Sequence, residues 1–229
     1  MIKYDFSLLA APPAGEGEGD EWLNARRGRI TASKRAHMIL HSRKATLNSM
    51  MDEMGEELQH PAGDGFSSAA TNHGHAFENQ AIGEYQMMRL TGGKIDRNPG
   101  MLVHPDFDIA SATPDFFEGA DITGQIKCPY KLKNHLNLLH FGVKMVNSSY
   151  YTQVQFESFV SQRPNIAFVS YHPEAPATNQ VYIELMCRDE SMHAKFVEKL
   201  VEIEHMLVNH ERYEVKKPVA GVDGIPDIF

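Results

Sequence analysis

The sequence predicts an α/β fold, and three observations predict it. Stretches with helical spacing alternate along the chain with short β-like runs. Two of those runs, Ile109 to Ala112 and Ile122 to Ile126, flank a turn signal at Gly119 and read as a hairpin. Two more, Ile166 to Tyr171 and Gln180 to Met186, come after further helical segments and would extend the same sheet. The 229 residues suit a single domain with a sizeable core, residues 1–19 forming a flexible arm and 214–229 an irregular tail.

The elements follow in order. Ala11 to Asp20 is rich in Pro, Gly and acid and cannot build a core. Asp20 is a good cap for a helix carrying Trp22, Leu23 and Arg26, which Gly28 ends. Thr31 or Ser33 is expected to cap the next helix, in which Ala36, Ile39 and Leu40 have helical spacing; Arg43 falls in the loop beyond. Leu47 to Leu58 reads as a helix and residues 59–70 as a loop. Phe77, Ala81, Tyr85 and Met88 recur every three or four positions, so a helix is expected there. His73 and His75 look like a metal pair but have no further ligand in view, and they read as loop or helix-end residues. After the hairpin, Lys131 to Phe141 is expected to be a helix with Leu132, Leu136 and Leu139 apolar. Ser148 or Ser149 can cap a helix that puts Tyr150 and Gln153 on one face and Val154, Phe156 and Val160 toward the core. Gln155 reads as structural. Asp189 and Ser191 start a long helix with Phe196, Leu200, Ile203 and Leu207 on one stripe.

Composition excludes some classes. Hydrophobic residues at 42% and charged residues at 23% are ordinary for a globular chain. No apolar run reaches the length of about 18 residues that suggests a membrane span. Met1 to Phe6 lacks the basic and apolar regions of a signal peptide, and Cys128 and Cys187 have no metal-type spacing. A reducing cytoplasm is the expected setting. The net charge of −8 argues against a nucleic-acid partner, but its distribution argues for one. Residues 26–44 and 127–144 hold 11 of the 22 basic residues and no acid. A basic lining on an acidic body would draw phosphates locally.

The hairpin carries the chemistry. In a strand, alternate side chains share a face, so Gln125 and Lys127 point one way and Ile126 points into the core. If the two runs pair, Asp115 sits beside both. A carboxylate, an amide oxygen and an ammonium then converge. Hard oxygens suit Mg²⁺, and a cation suits a water or a phosphate under attack.

The segment Trp22-Leu-Asn-Ala-Arg26-Arg-Gly28-Arg-Ile30-Thr31-Ala32-Ser33 resembles the N-terminal signature of the phage lambda exonuclease family, the YqaJ-like viral recombinases. The hairpin resembles the active-site hairpin of the PD-(D/E)xK nucleases, except that Gln125 stands where they carry an acid. Gly74 with Glu78, and Tyr150-x-x-Gln153-Val-Gln155, also resemble family motifs, and the likeness runs from about Glu21 to Leu207 in family order. It implies a restriction-endonuclease-like core, a central mixed β-sheet flanked by helices, and a toroidal homotrimer threaded by duplex. It implies a Mg²⁺-dependent 5′→3′ exonuclease acting on double-stranded DNA ends in recombination, with Mn²⁺ able to substitute and a single-strand annealing protein as partner.

The same resemblance implies the site residues. Asp115, residue 125 and the backbone carbonyl of Ile126 would hold metal, with Glu78 adding charge nearby. Lys127 would position the attacking water, and Tyr150 and Gln153 would reach the active site. Arg26, Ser33 and Thr113 would grip the 5′-phosphate, and Arg43 would enter the DNA groove. Gln125 removes one negative charge, so impaired cleavage is expected; with the other site positions intact, an engineered substitution is the favoured origin. The alternatives are a catalytically silent DNA-end-binding protein and a sequence-specific endonuclease on the same fold.

Overall fold

In the computed structural model, residues 3–13, 19–60, 69–89 and 92–215 are described; residues 1–2 and 14–18 of the expected arm, 61–68 of the loop expected at 59–70 and 216–229 of the expected tail lie outside them. Helix α1 (Asp20–Arg26) opens on Asp20 and Glu21, whose charges suit the positive end of a helix. Gly28 follows with a left-handed φ of 70°, and a side chain there would collide with Leu58. Only glycine meets both demands. Then come β1 (Ile30–Thr31), α2 (Ala36–His41) and α3 (Lys44–Gln59). Thr31 lies in a strand and Ser33 in a turn, so neither caps α2; Arg35 precedes it without a side-chain cap. Helix α4 (Ala69–Met88) starts before the Phe77 stripe, so His73 and His75 are helical rather than loop residues.

Strands β2 (Ile95–Arg97), β3 (Leu102–His104), β4 (Phe107–Ala112), β5 (Phe116–Glu118) and β6 (Ile122–Lys127) come next. The pairing differs from the expected hairpin. β4 joins β1 and β3 in a separate three-stranded sheet, and β5 is the antiparallel partner of β6. Pro114 has no N–H for a ladder, and the chain passes between sheets across it. Helices α5 (Leu132–Val146) and α6 (Ser148–Ser161) cross over to β7 (Asn165–Tyr171), which runs parallel to β6; β8 (Val181–Cys187) and α7 (Glu190–Asn209) complete the chain. The five-stranded sheet, ordered β2-β5-β6-β7-β8, is mixed and flanked by helices as expected.

Strand alternation divides the core. Ile126, Val169 and Tyr171 pack with Ala81, Ile82 and Tyr85 of α4. Phe168 and Ile166 turn the other way, onto Leu138 and Val143 of α5 and Val154 of α6. A third cluster joins α2, α3, β4, α6 and α7, with Phe196, Leu200, Ile203 and Leu207 as its α7 stripe. Two helices differ in detail. α5 buries His135, Leu138 and Val143 rather than its leucine triplet, and Asn147, not Ser148 or Ser149, caps α6 by accepting the N–H groups of Ser149 and Tyr150. Within the segment expected as an arm, Tyr4 is buried and donates its hydroxyl to the Gly28 carbonyl at 2.7 Å.

One ion pair fixes this corner. The buried Arg35 guanidinium donates to both Glu57 oxygens at 2.9 and 2.8 Å, and Glu57 also accepts the Gly28 N–H at 3.0 Å. Burial alone would raise the Glu57 carboxyl, but Arg35 and the Gly28 N–H outweigh it and hold it at about 2. Its contribution is therefore complete above the ordinary value of 4.5 and is lost as pH falls toward 2. Glu57→Ala should lower unfolding stability by about 2–4 kcal/mol at pH 7, because it removes both charged hydrogen bonds of a buried guanidinium and leaves it only Glu53 at 3.3 Å as an acidic partner. Chemical denaturation of the variant at pH 7 and pH 3 checks this, and the gap should narrow at the lower pH.

Candidate active site

Asp115 lies in the crossing between the two sheets, just before β5. Its Oδ2 accepts the Ile126 N–H at 2.5 Å and a hydrogen bond from Gln125 Nε2. Gln125 Nε2 also points at the Ile126 carbonyl, 3.3 Å away. Carboxylate, amide and carbonyl thus converge at the end of β6. With Lys127, Tyr150 of α6, and Gly74 and Glu78 of α4, they line an open cavity of about 670 Å³. The Lys127 ammonium stands 5.4 Å from the centre of the Tyr150 ring, within cation–π range.

The polar chain continues into the protein. Gln153 Nε2 donates to Gln125 Oε1 and to Glu157 Oε1, each at 2.8 Å. Glu157 is only 1% exposed, and its Oε2 has no partner. Burial, and then the nearby Asp115, push its carboxyl well above the usual range. Burial also lifts Asp115 to about 7, against the pull of Lys127 and the Ile126 N–H, while Glu78 adds to the rise.

No group of three or more His, Cys, Asp or Glu side chains could hold a metal ion among the described residues. The donors at the end of β6 still fit a hard cation. A partly positive amide group already sits between the Asp115 carboxylate and the Ile126 carbonyl. Oxygens of that type are what Mg²⁺ or Mn²⁺ takes.

A second polar cluster adjoins this one. The Arg26 guanidinium stacks on Trp22, 4.2 Å from the ring centre, and donates to Ser33 Oγ at 3.2 Å. Trp22 Nε1–H donates to Thr113 Oγ1 at 3.3 Å. Thr113 is two residues before Asp115, so the backbone joins the clusters. Arg43 stands apart as the exposed residue before α3 and is not among those lining the cavity.

Residues 21–164 match the YqaJ-like viral recombinase domain, well over half of the chain. The chain belongs to the YqaJ-like viral recombinase family. An alkaline exonuclease from Laribacter hongkongensis shares its fold with a TM-score of 0.72 at 23% identity, over 84% of this chain and 94% of that one. A phage-related exonuclease from Haemophilus somnus 129PT gives 0.54 at 11% identity, over 92% and 95%. Both likenesses are to the restriction-endonuclease-like fold. No curated protein gives a significant match.

In this YqaJ-like chain Asp115, Gln125, Ile126, Lys127, Glu78 and Tyr150 line one cavity, and Gln153 stands behind Gln125. Two further residues adjoin them that the sequence reading does not single out. Glu157 had a readable signal: Tyr150, Gln153 and Glu157 stand at i, i+3 and i+7, one face of a helix. Trp22 had none, because its link to Thr113 spans 91 residues.

The raised Asp115 carboxyl has a measurable consequence. Between its ordinary value of 3.8 and about 7, the folded chain holds a proton that the unfolded chain has lost. The metal-free contribution of this group should therefore be fully present below about 3.8 and fall as pH rises from there to about 7, by at most about 1.4 kcal/mol per pH unit. Asp115→Asn should flatten that slope and raise the melting temperature at pH 8, measured calorimetrically with chelator present.

Proposed function

We propose that this chain is a Mg²⁺-dependent exonuclease that digests duplex DNA from its 5′ ends in homologous recombination, with Mn²⁺ able to substitute. The observation that carries this reading is the short backbone step from Thr113 to Asp115. It joins an arginine–hydroxyl cluster suited to a terminal phosphate to a cavity suited to cleaving the next phosphodiester. A guanidinium grips phosphate through paired hydrogen bonds, and Ser33 and Thr113 offer hydroxyls beside it. The exonuclease names of the two structural relatives support the same class.

Asp115 and the Ile126 carbonyl are the groups that would hold the ion, and Gln125 would join them by turning its amide oxygen, which here accepts from Gln153, toward it. A divalent cation there would supply positive charge to the phosphate as negative charge develops. Lys127 positions the attacking water and adds a second positive charge on the same side. Glu78 of α4, which also lines the cavity, orients that water. Tyr150 holds the Lys127 ammonium against its ring, and Gln153 holds the amide of Gln125. Arg43 contacts the duplex groove. The reading extends to a ring of three chains around the duplex and to a single-strand annealing protein that takes the exposed strand. Light scattering should then give about three times the chain mass.

A comparison of linear and circular duplex separates the possible activities. Linear DNA should be shortened from 5′-phosphorylated ends and closed circles left intact. Cleavage of circles would mean an endonuclease, and cleavage of neither a silent end-binding protein. Lys127→Ala should slow digestion at least about a hundredfold. Arg26→Ala should shrink the advantage of 5′-phosphate over 5′-hydroxyl ends by about 10- to 100-fold, the scale of a charged hydrogen bond. An unchanged preference would remove Arg26 from the end-binding role.

A further inference from the structure

Glu157 is the buried acid with no evident structural purpose. Its Oε2 is sealed from water without a partner. Its one hydrogen bond comes from Gln153, whose amide nitrogen also holds Gln125. Asp115 and Lys127 are the charged groups that act on it, and no salt bridge reaches it among the described residues. Burial of such a group is costly, and a neutral side chain of the same shape would pack there at lower cost. A divalent cation beside the chain Asp115–Gln125–Gln153–Glu157 changes that balance, because it is the largest local charge and favours nearby carboxylates.

Resting on the metal-site reading above, we propose that Glu157 is the second acid of this site. With an ion bound, it would carry on α6 the negative charge that β6 lacks at Gln125, and it acts as a positioning residue through Gln153. The motif read along the chain counts one charge at Asp115 and none at 125. Counted in space, the site has its second charge one amide group away.

Mn²⁺ binding to the DNA-free protein, followed by electron paramagnetic resonance, tests this with melting temperature as control. Glu157→Gln should weaken Mn²⁺ affinity at least about tenfold, the scale of outer groups that orient metal ligands. Its melting temperature without metal should stay equal or rise, since an unpartnered buried carboxyl has been removed. Glu157→Gln combined with Gln125→Glu should recover Mn²⁺ binding, because the charge returns on the strand. In the otherwise unchanged chain, Gln125→Glu should speed digestion of linear duplex by less than about tenfold. Unchanged Mn²⁺ affinity in Glu157→Gln would overturn the proposal, as would a double variant that fails to recover binding. A gain of a hundredfold or more from Gln125→Glu alone would overturn it too. Asp115→Asn separates the two levels. If it abolishes Mn²⁺ binding while Glu157→Gln does not, only the role of Glu157 falls; if it leaves binding intact, the metal site itself falls.

Discussion

The hydrogen bond from the Ile126 N–H to the Asp115 carboxylate, at 2.5 Å, organises the molecule around it. On the β5 side of this N–H the acceptor is a side chain rather than the main chain. The chain has just crossed from the three-stranded sheet by way of Pro114. Asp115 completes the edge of the ladder and, in doing so, is fixed at the end of β6. The constraint also runs in reverse. A carboxylate held there is partly withdrawn from water, so its charge is destabilised unless something positive is near. Lys127 supplies part of that compensation. The cavity is accordingly a place where cations are favoured, and this follows from how the two sheets are joined.

The same crossing explains why two polar clusters share one region. Residues 112–116 leave β4, pass Thr113 and Asp115, and enter β5. Trp22 reaches across from α1 to Thr113 and carries Arg26 stacked on its ring. α1 is itself held by the Gly28 turn, which Glu57 and Tyr4 pin from two sides. A change in the Arg35–Glu57 pair would therefore be felt at Arg26 through the turn, although neither side chain touches the cavity. Stability and positioning are coupled here by the backbone.

Helical periodicity made α4 and α7 readable, because their buried faces repeat in the one-dimensional string, whereas α6 is buried on every side from Thr152 to Val160. The alternation in β6 likewise separated Gln125 from Ile126. Pairing partners were less readable. Ile109 to Ala112 is the stronger apolar run and looked like the mate of β6, yet the short Phe116–Glu118 takes that place. Nothing local marks the switch except Pro114, whose effect depends on the second sheet being there. Caps were no easier to read: Asn147 and the serines beside it are all good caps, and it is Asn147, in extended conformation between α5 and α6, that accepts the free N–H groups. Glu157 was overlooked because a motif is read outward from its known positions, while the charge balance of a buried site is set by every acid within reach.

The basic segments show the same limit for charge counting. Residues 26–44 looked like a continuous lining for DNA, but the fold uses much of that charge internally. Arg29 and Arg35 are buried, giving hydrogen bonds to backbone carbonyls and to Glu57, and Lys34 pairs with Glu53 and Glu57. Among the described residues, no salt bridge engages Arg26, Arg27, Arg43 or Lys44, and Lys127 and Lys131 stand at the cavity. A phosphate approaching this surface meets a few placed cations on an acidic body rather than a broad positive field. Each phosphate neutralised releases counterions, so the salt dependence of DNA binding should follow this small number and not the sequence total. In the proposed function, discrimination of DNA ends rests on the geometry around Arg26, and the overall charge of −8 works against binding anywhere else.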